Sequence, residues 1–501
     1  MRSSIRSPVP PMPRDVVDLF LARAVEAPDH PAIVTSTASI TYGGLERRVR
    51  AFAAALAKRS APKVLIALPA SIDAYACMFA AGLAGGFYTP LNMASPAEKM
   101  RRICAQLEPD IVVGHPDMLE RLSGAAPGAV SLDPAGLDEE GLLDGAGSRH
   151  ALAYVLFTSG STGEPKGVMI PRAALADYAA WLGALGIGRT DHVSQQPNIA
   201  FDLSVVDIFG TLCYGATLYP LDVEGDRLMP ARFIRRNAIT VWNSTPSAVS
   251  VMIRARQAKA ENLASVRLFN FCGEPLLKEH LDALFAAVPD AIVQNTYGPT
   301  EATVSMTALR LDARNYAEHC ANSVALGSAI PGMELLLNGS SDEGEIVIVG
   351  PQLAQGYWND PEKTASAFRA VSGTDPRRGY FTGDWAVRRG GDIYFRERID
   401  FQVKVRGHRI ELDEVAAAIR ALGYPVVCVF KRGDALAAVV EHDGAFDETA
   451  LRTALQAKLE PHAIPERIVS AAHLPRNEND KLDRGRAAAL MEDRIARRHD
   501  T

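Results

Sequence analysis

The sequence predicts an α/β protein with doubly wound sheets, a β-rich subdomain and a smaller α+β unit at the C-terminal end. Continuous apolar runs such as Lys63–Leu68 and Ile111–Val113, flanked by helical periodicity, read as parallel strands covered on both faces. The length, 501 residues, exceeds what one core supports. The pattern also shifts near residue 400, from short β-branched strands and turns to a compact α+β unit. The expected domains are therefore residues 1–399 and 400–501.

Taken in order, Arg14–Ala27 has apolar residues at helical spacing, Ala32–Val34 and Ser39–Tyr42 read as a hairpin, and Leu45–Ala57 as a helix. Ala74–Leu91 reads as a buried helix followed by a strand, too interrupted by glycines to span a bilayer. Residues 124–149 read as loop. After 151 the alternation resumes, with strands Thr217–Tyr219, Thr240–Trp242, Arg267–Glu274 and Ile292–Tyr297 and helices near 173–185 and 205–214. Gly344–Gly350 is a β-branched run between glycines and opens the β-rich part. Strands near 401–406, 425–431 and 436–441 belong to the last unit.

Composition narrows the function. The chain is 48% apolar and 22% charged with a net charge of −6, which argues against nonspecific nucleic-acid binding. The six cysteines are scattered, with no CxxC pair and no zinc spacing, as expected of reduced thiols in a cytoplasmic protein. Residues Met1–Pro13 lack the apolar core of a signal peptide. A soluble monomer with no membrane span is expected.

One stretch carries chemistry by itself. An apolar strand, Ala153–Phe157, runs into Thr158–Gly167, where four hydroxyls, three glycines and a lysine fall within ten residues. Glycine lets the backbone approach an anion, and hydroxyls, amide N–H groups and Lys166 supply donors. This is a phosphate cradle, although neither a Walker A loop nor a G-x-G-x-x-G. A flexible Ser/Gly turn is the plain alternative. In open α/β sheets ligands sit beyond the carboxyl ends of strands. The ends at Gly273-Glu274 and Gly298–Glu301 are therefore candidates to meet the cradle.

The cradle, Asn295–Glu301, Tyr380–Asp384, Arg398 and a lysine in Leu474–Arg484 together resemble the adenylate-forming superfamily. Within it, Asn295–Val304, Phe271–Glu274, Gly344–Pro351 and Asp400–Lys404 are similar to the branch that ligates D-alanine to its carrier protein, and to stand-alone nonribosomal-peptide adenylation domains. The resemblance implies that a substrate carboxylate attacks the α-phosphorus of ATP, pyrophosphate leaves, and the acyl group passes to a thiol. Catalysis of that kind is mainly charge neutralisation and positioning.

The same resemblance implies roles for particular residues. Thr158, Ser159, Gly160, Ser161, Thr162, Gly163 and Lys166 would hold the β- and γ-phosphates, and Glu301 would bind Mg2+, a hard cation suited to oxygen ligands. Gly273, Glu274, Asn295, Thr296, Tyr297, Gly298 and Thr300 would surround the nucleotide, with Tyr297 stacked on adenine, Asn295 reading its amino group, and Thr300 beside the reacting groups. Asp384 would accept both ribose hydroxyls, and Arg398 would reach the ribose or phosphate. Lys481 matches the catalytic lysine, but Asp480 replaces the usual preceding glycine. Asp400 resembles the hinge on which a mobile small domain rotates, although Glu397 stands where glycine is usual. In the rotated state Gly407–Glu411 would face the active site.

Phe201–Ser204 matches the motif whose aspartate, here Asp202, pairs with a substrate α-ammonium, while Asp-x-Ser before an apolar run also reads as an N-cap. The remaining pocket positions would be Leu203, Val206, Asn243, Asn270, Cys272, Thr296, Val304 and Ser305. Two asparagines in one pocket point to a polar substrate tail or to a mutual pair. A small amino acid is the expected substrate. No Ser-centred phosphopantetheine site appears, so the thiol is expected from a separate acyl or peptidyl carrier protein. A coenzyme A ligase and a catalytically weak ATP-binding regulatory relative are the alternatives.

Overall fold

The computed structural model describes residues 14–138, 141–143, 150–160, 164–371, 377–400, 402–476 and 482–499. Two sheets form the body of the large part. The first runs Gly356–Tyr357, Lys166–Pro171, Leu152–Thr158, Phe87–Pro90, Lys63–Ala67, Ile111–Gly114, Val130–Leu132. The second runs Ser328–Ala329, Thr307–Leu311, Ile292–Tyr297, Leu268–Phe271, Val241–Ser244, His192–Gln195, Thr217–Pro220, Pro31–Val34, Ser39–Thr41. Within it, the five strands from Ile292–Tyr297 to Thr217–Pro220 are parallel neighbours, so they end on one edge.

Helices Ile72–Leu83 and Ser204–Leu212 are buried almost all round, from Ala74 to Leu83 and along the whole of the second. One apolar cluster contains both of them and side chains from each sheet, such as Ile66 and Leu156 on one side and Val193 and Leu268 on the other. A helix apolar on every face has to lie inside, and these two do. A third, antiparallel sheet is built on Arg377–Arg389, flanked by Glu343–Val349, Phe368–Val371 and Asp392–Arg398.

From Gln402 onward the chain forms a separate core. Val405, Ile410, Val415, Val429 and Ile468 pack together, and a second cluster joins Cys428, Val439 and Met491. It holds the hairpin Gln402–Val405/His408–Glu411 and a sheet of Val427–Arg432, Ala435–Glu441 and Arg467–Ala471.

Three elements depart from the sequence reading. The cradle does not lead straight into a helix: it caps an antiparallel hairpin, because Val168 and Ile170 alternate inward before the helix Arg172–Leu182. Val130–Leu132, inside the expected loop, pairs parallel with Ile111–Val113. It is three residues long, with Val130 and Ser131 exposed and only Leu132 partly covered, so its alternation is too short to mark a strand. His192–Gln195 is a central strand written in polar letters, with Ser194 and Gln195 fully buried.

Candidate active site

The strands Val241–Ser244, Leu268–Phe271 and Ile292–Tyr297 end together, delivering Thr245, Gly273-Glu274 and Gly298–Glu301 to one edge. Gly298 is required there: a Cβ on it would stand 2.5 Å from the Ser305 Cα. The turn packed against it is strained, with positive φ at Thr303 (51°) and Val304 (75°). A β-branched residue there costs about 1–3 kcal/mol and persists only when its surroundings demand it. The Thr303 hydroxyl is held by the Gln352 carbonyl at 2.7 Å.

At one end of the site the Tyr297 hydroxyl donates to Asp384 Oδ2 at 2.6 Å, and Arg398 Nη1 donates to Asp384 Oδ1 at 2.8 Å. Arg398 also holds Asp400, with Nε 2.6 Å from Oδ1, and donates to the Thr382 carbonyl. Burial, reinforced by the Asp384 charge, pushes the Tyr297 phenol well above its ordinary range. Asn295 Nδ2 donates to the Ala325 carbonyl at 2.8 Å, and Thr296 Oγ1 to the Phe271 carbonyl at 2.9 Å. Glu274 accepts from the Ser247 N–H at 3.1 Å and from the Gly407 N–H.

At the other end Glu301 is fully buried and accepts from Tyr357 Oη at 2.8 Å and from Arg409 Nη1 at 2.9 and 3.0 Å. Burial opposes its ionisation, but the Arg409 and Lys166 charges bring its carboxyl down to about 2. Across from it, Thr158 faces Lys166 in the cradle hairpin. Lys166 Nζ lies 3.1 Å from Glu411 Oε1, and burial lowers its affinity for a proton. Ser159 Oγ donates to the Arg409 carbonyl at 2.8 Å. A Cβ on Gly160 would collide with the Glu164 carbonyl oxygen, which fixes glycine at the turn. Ser161, Thr162, Gly163 and Lys481 lie outside the described residues.

Between these ends sits Asp202, half-buried, within hydrogen-bonding reach of Thr300. Burial raises its carboxyl, and Thr300 and the Lys404 charge oppose the shift. Leu203, Val206, Cys272 and Val304 are buried in the central cluster around it. Cys272 Sγ points at the Val304 carbonyl at 3.8 Å, and Ser305 shares a 2.9 Å hydrogen bond with Tyr178 Oη. Asn243 and Asn270 are register partners on adjacent strands, yet they do not form the mutual pair. Asn243 instead faces the buried Asp207, and neither amide atom of Asn243 makes a well-aligned hydrogen bond.

Several of these residues were not singled out by sequence. Tyr357, Tyr178 and Asp207 carry no motif signal, and only the fold brings them here. Arg409 and Glu411 lie in a segment that the resemblance brought to the site, without individual roles.

Carboxylate, tyrosine and arginine at one end, with carboxylate, lysine and hydroxyl at the other, gather where the carboxyl end of Ile292–Tyr297 meets the antiparallel sheet that carries Asp384 and Arg398 and the cradle hairpin that carries Lys166. This is the build of an adenylate-forming enzyme. The AMP-binding enzyme family matches residues 20–358, and the chain belongs to that family. It is 31% identical over 496 residues to the D-alanine--D-alanyl carrier protein ligase of Staphylococcus epidermidis, covering 95% of this chain and 99% of that one. Among solved structures it is similar to the Vibrio cholerae adenylation domain AlmE in complex with glycyl-adenosine-5'-phosphate. The TM-score is 0.82 at 25% identity, over 99% of this chain and 100% of that one. IdnL7 matches at 30% identity with a TM-score of 0.72, over 96% and 99% of the two chains. Among the described residues no helix is long and apolar enough to cross a membrane.

Proposed function

We propose that the protein is a stand-alone amino-acid adenylating ligase acting on a small amino acid. It uses ATP to form an aminoacyl-AMP and then passes the acyl group to the phosphopantetheine thiol of a separate carrier protein. The observation that carries this reading is the position of Asp202, which sits against Thr300, one residue from Glu301. In this reading a carboxylate for an ammonium and a carboxylate for a cation share one site. The relatives support the substrate class: one is named for D-alanine and its carrier protein, and another was solved with glycyl-adenosine-5'-phosphate.

In the first half-reaction a substrate carboxylate oxygen attacks the α-phosphorus, the bond to the β-phosphate oxygen breaks, and pyrophosphate leaves. Asp202 orients the substrate through its ammonium. Asp384, itself aligned by Tyr297 and Arg398, takes the ribose hydroxyls. Thr158, Ser159, Gly160 and Lys166 take the phosphates, together with Ser161, Thr162 and Gly163. Lys481 is the lysine assigned to the transferring phosphate. In the second half-reaction a thiolate attacks the acyl carbon and AMP leaves with the electron pair.

Mg2+ fits the donor set. Glu301, a buried carboxylate held in its charged form by Arg409 and Lys166, would be its protein ligand, and no cluster of three or more His, Cys, Asp or Glu side chains surrounds it among the described residues. Such a site uses one carboxylate with phosphate oxygens. A bound Mg2+ would neutralise charge on the phosphates.

The test is product analysis by mass spectrometry with ATP and candidate amino acids, offering holo carrier protein or free coenzyme A as acceptor. Aminoacyl carrier protein supports the reading. Aminoacyl-CoA alone would make the protein a coenzyme A ligase, and no adenylate with any amino acid would make it a regulatory relative.

A further inference from the structure

The face of the second sheet turned towards the central apolar cluster carries side-chain amides in the middle of an apolar surface. Asn243 pairs in register with Asn270, and Asn270 with Gln294, on three adjacent parallel strands. Two residues earlier on the same face stand Val241 and Leu268, both in the cluster. Asn243 is 0% exposed and Asn270 1%. The neighbouring strand His192–Gln195 shows how such a group is satisfied when its role is structural. Gln195 Oε1 accepts from the Tyr75 hydroxyl at 2.9 Å, and Gln195 Nε2 donates to the Pro197 carbonyl. The carboxamide oxygens of Asn243 and Asn270 receive no such donor. An unmatched buried acceptor costs about 1–3 kcal/mol, so two side by side call for a partner.

These two oxygens adjoin the amino-acid end of the site. The strand ladder continues from Asn270 to Cys272, whose N–H donates to the Ser244 carbonyl at 3.4 Å, so both side chains leave on the same face. The Asp202 charge acts on the Cys272 thiol. The Tyr178 phenol, bonded to Ser305, is near enough to feel Cys272, Asp202 and Asp207 together. Asn243 turns towards Asp207. A wall therefore runs from Asp202 past Cys272 to Asn270, Asn243 and Asp207, and its far end is polar.

We infer that Asn243 and Asn270 select the substrate side chain, and that this side chain is short and ends in an uncharged hydrogen-bond donor, a hydroxyl or a carboxamide. The inference rests on the amino-acid reading proposed above and gives it a substrate class. Two acceptor oxygens reject a side-chain carboxylate, which has no donor when ionised. A methyl group would leave both of them unmatched. A second ammonium finds no counter-charge there. Burial pushes the Asp207 carboxyl well above the usual carboxylate range, opposed by the Asn243 amide and the Gln196 N–H. Leu203, Val206 and Val304, all buried, crowd the space and restrict its length. The chain thereby departs from a relative named for D-alanine and from one solved with glycyl-adenosine-5'-phosphate.

ATP–pyrophosphate exchange on the full chain tests this. Serine, threonine and asparagine are compared with alanine, glycine, aspartate and 2,3-diaminopropionate, the chiral ones as both enantiomers. Serine, threonine or asparagine should lead alanine by about a hundredfold or more in kcat/KM, since a site built to bond a donor rejects the analogue without it. A hydroxyl amino acid in the lead assigns the donor to a hydroxyl, and asparagine in the lead assigns it to a carboxamide. Asn270→Leu should cut the lead over alanine about tenfold, and Asn243→Ala should do the same. Each ratio is taken within one protein, so any loss of folded material cancels. Alanine, glycine or either charged amino acid in the lead overturns the inference alone, as does a ratio unchanged in either variant. Exchange with no amino acid overturns the amino-acid reading and the inference together.

Discussion

Gly407→Ala separates the two half-reactions. Gly407 has φ +81°, and a Cβ there would lie inside the contact radius of Thr245 Cγ2 in the large domain. Left-handed backbone costs an alanine about 1 kcal/mol. Overpacking of this kind costs about 1–3 kcal/mol. The overpacking acts on docking and weakens it by roughly fivefold to a hundred-and-fifty-fold, whereas the left-handed cost falls on the hairpin turn whether or not it is docked. Only the overpacking arises at the interface, and Thr245→Ser isolates that part by deleting the colliding methyl while keeping the hydroxyl. In single-turnover assays Gly407→Ala should slow thioester formation by that factor and affect ATP–pyrophosphate exchange far less. The double variant should recover thioester formation to near the wild-type rate, because the backbone cost is common to both states. Equal losses in both assays, or no recovery with Thr245→Ser, would refute the docking geometry.

Three further outcomes follow from the same contacts. Burial lowers the His408 imidazole to about 3 and the His462 imidazole to about 4, where they stack at 3.6 Å. His462, Glu460, Arg227 and Arg406 act on His408, and Glu460 and Lys99 act on His462. The undocked rings take up protons below about 6.5 while the docked rings stay neutral, so docking weakens as pH falls from 6.5 towards 4. Small-angle scattering should show the docked-to-undocked ratio falling about fivefold between pH 6.5 and 5.5 for one such ring, and a flat profile would contradict this. Tyr297→Phe removes one donor from Asp384 but leaves Arg398 in place, so ATP affinity measured by calorimetry should fall about fivefold. Gly298→Ala forces a methyl against the Ser305 Cα and the Val304 carbonyl, which are backbone atoms and cannot rotate away. Its melting midpoint should drop by the equivalent of about 2 kcal/mol or more, and an unchanged midpoint would show that the turn is not pinned there.

Much of this was legible in residues whose type is dictated by backbone or charge. Gly160 and Gly298 announce close backbone approach, and Lys63–Leu68 and Ile111–Val113 announce a covered parallel sheet. The strand His192–Gln195 was not legible, because its buried Gln195 is satisfied by Tyr75, which lies 120 positions away in sequence. Tyr357 on Glu301 is hidden for the same reason, since a lone tyrosine beside glycine carries no periodicity. Arg409 and Glu411 show the limit most clearly. A basic and an acidic residue on one strand read as an exposed face, and only the fold reveals that each neutralises a buried charge outside the C-terminal core.

The most direct test of the account is ATP–pyrophosphate exchange measured across the twenty amino acids and D-alanine, on the wild type and on Lys481→Ala and Asp202→Asn. The account predicts Mg2+-dependent exchange with one small amino acid, strongly reduced in both variants. Absence of exchange with every amino acid, or exchange indifferent to Asp202, would contradict it.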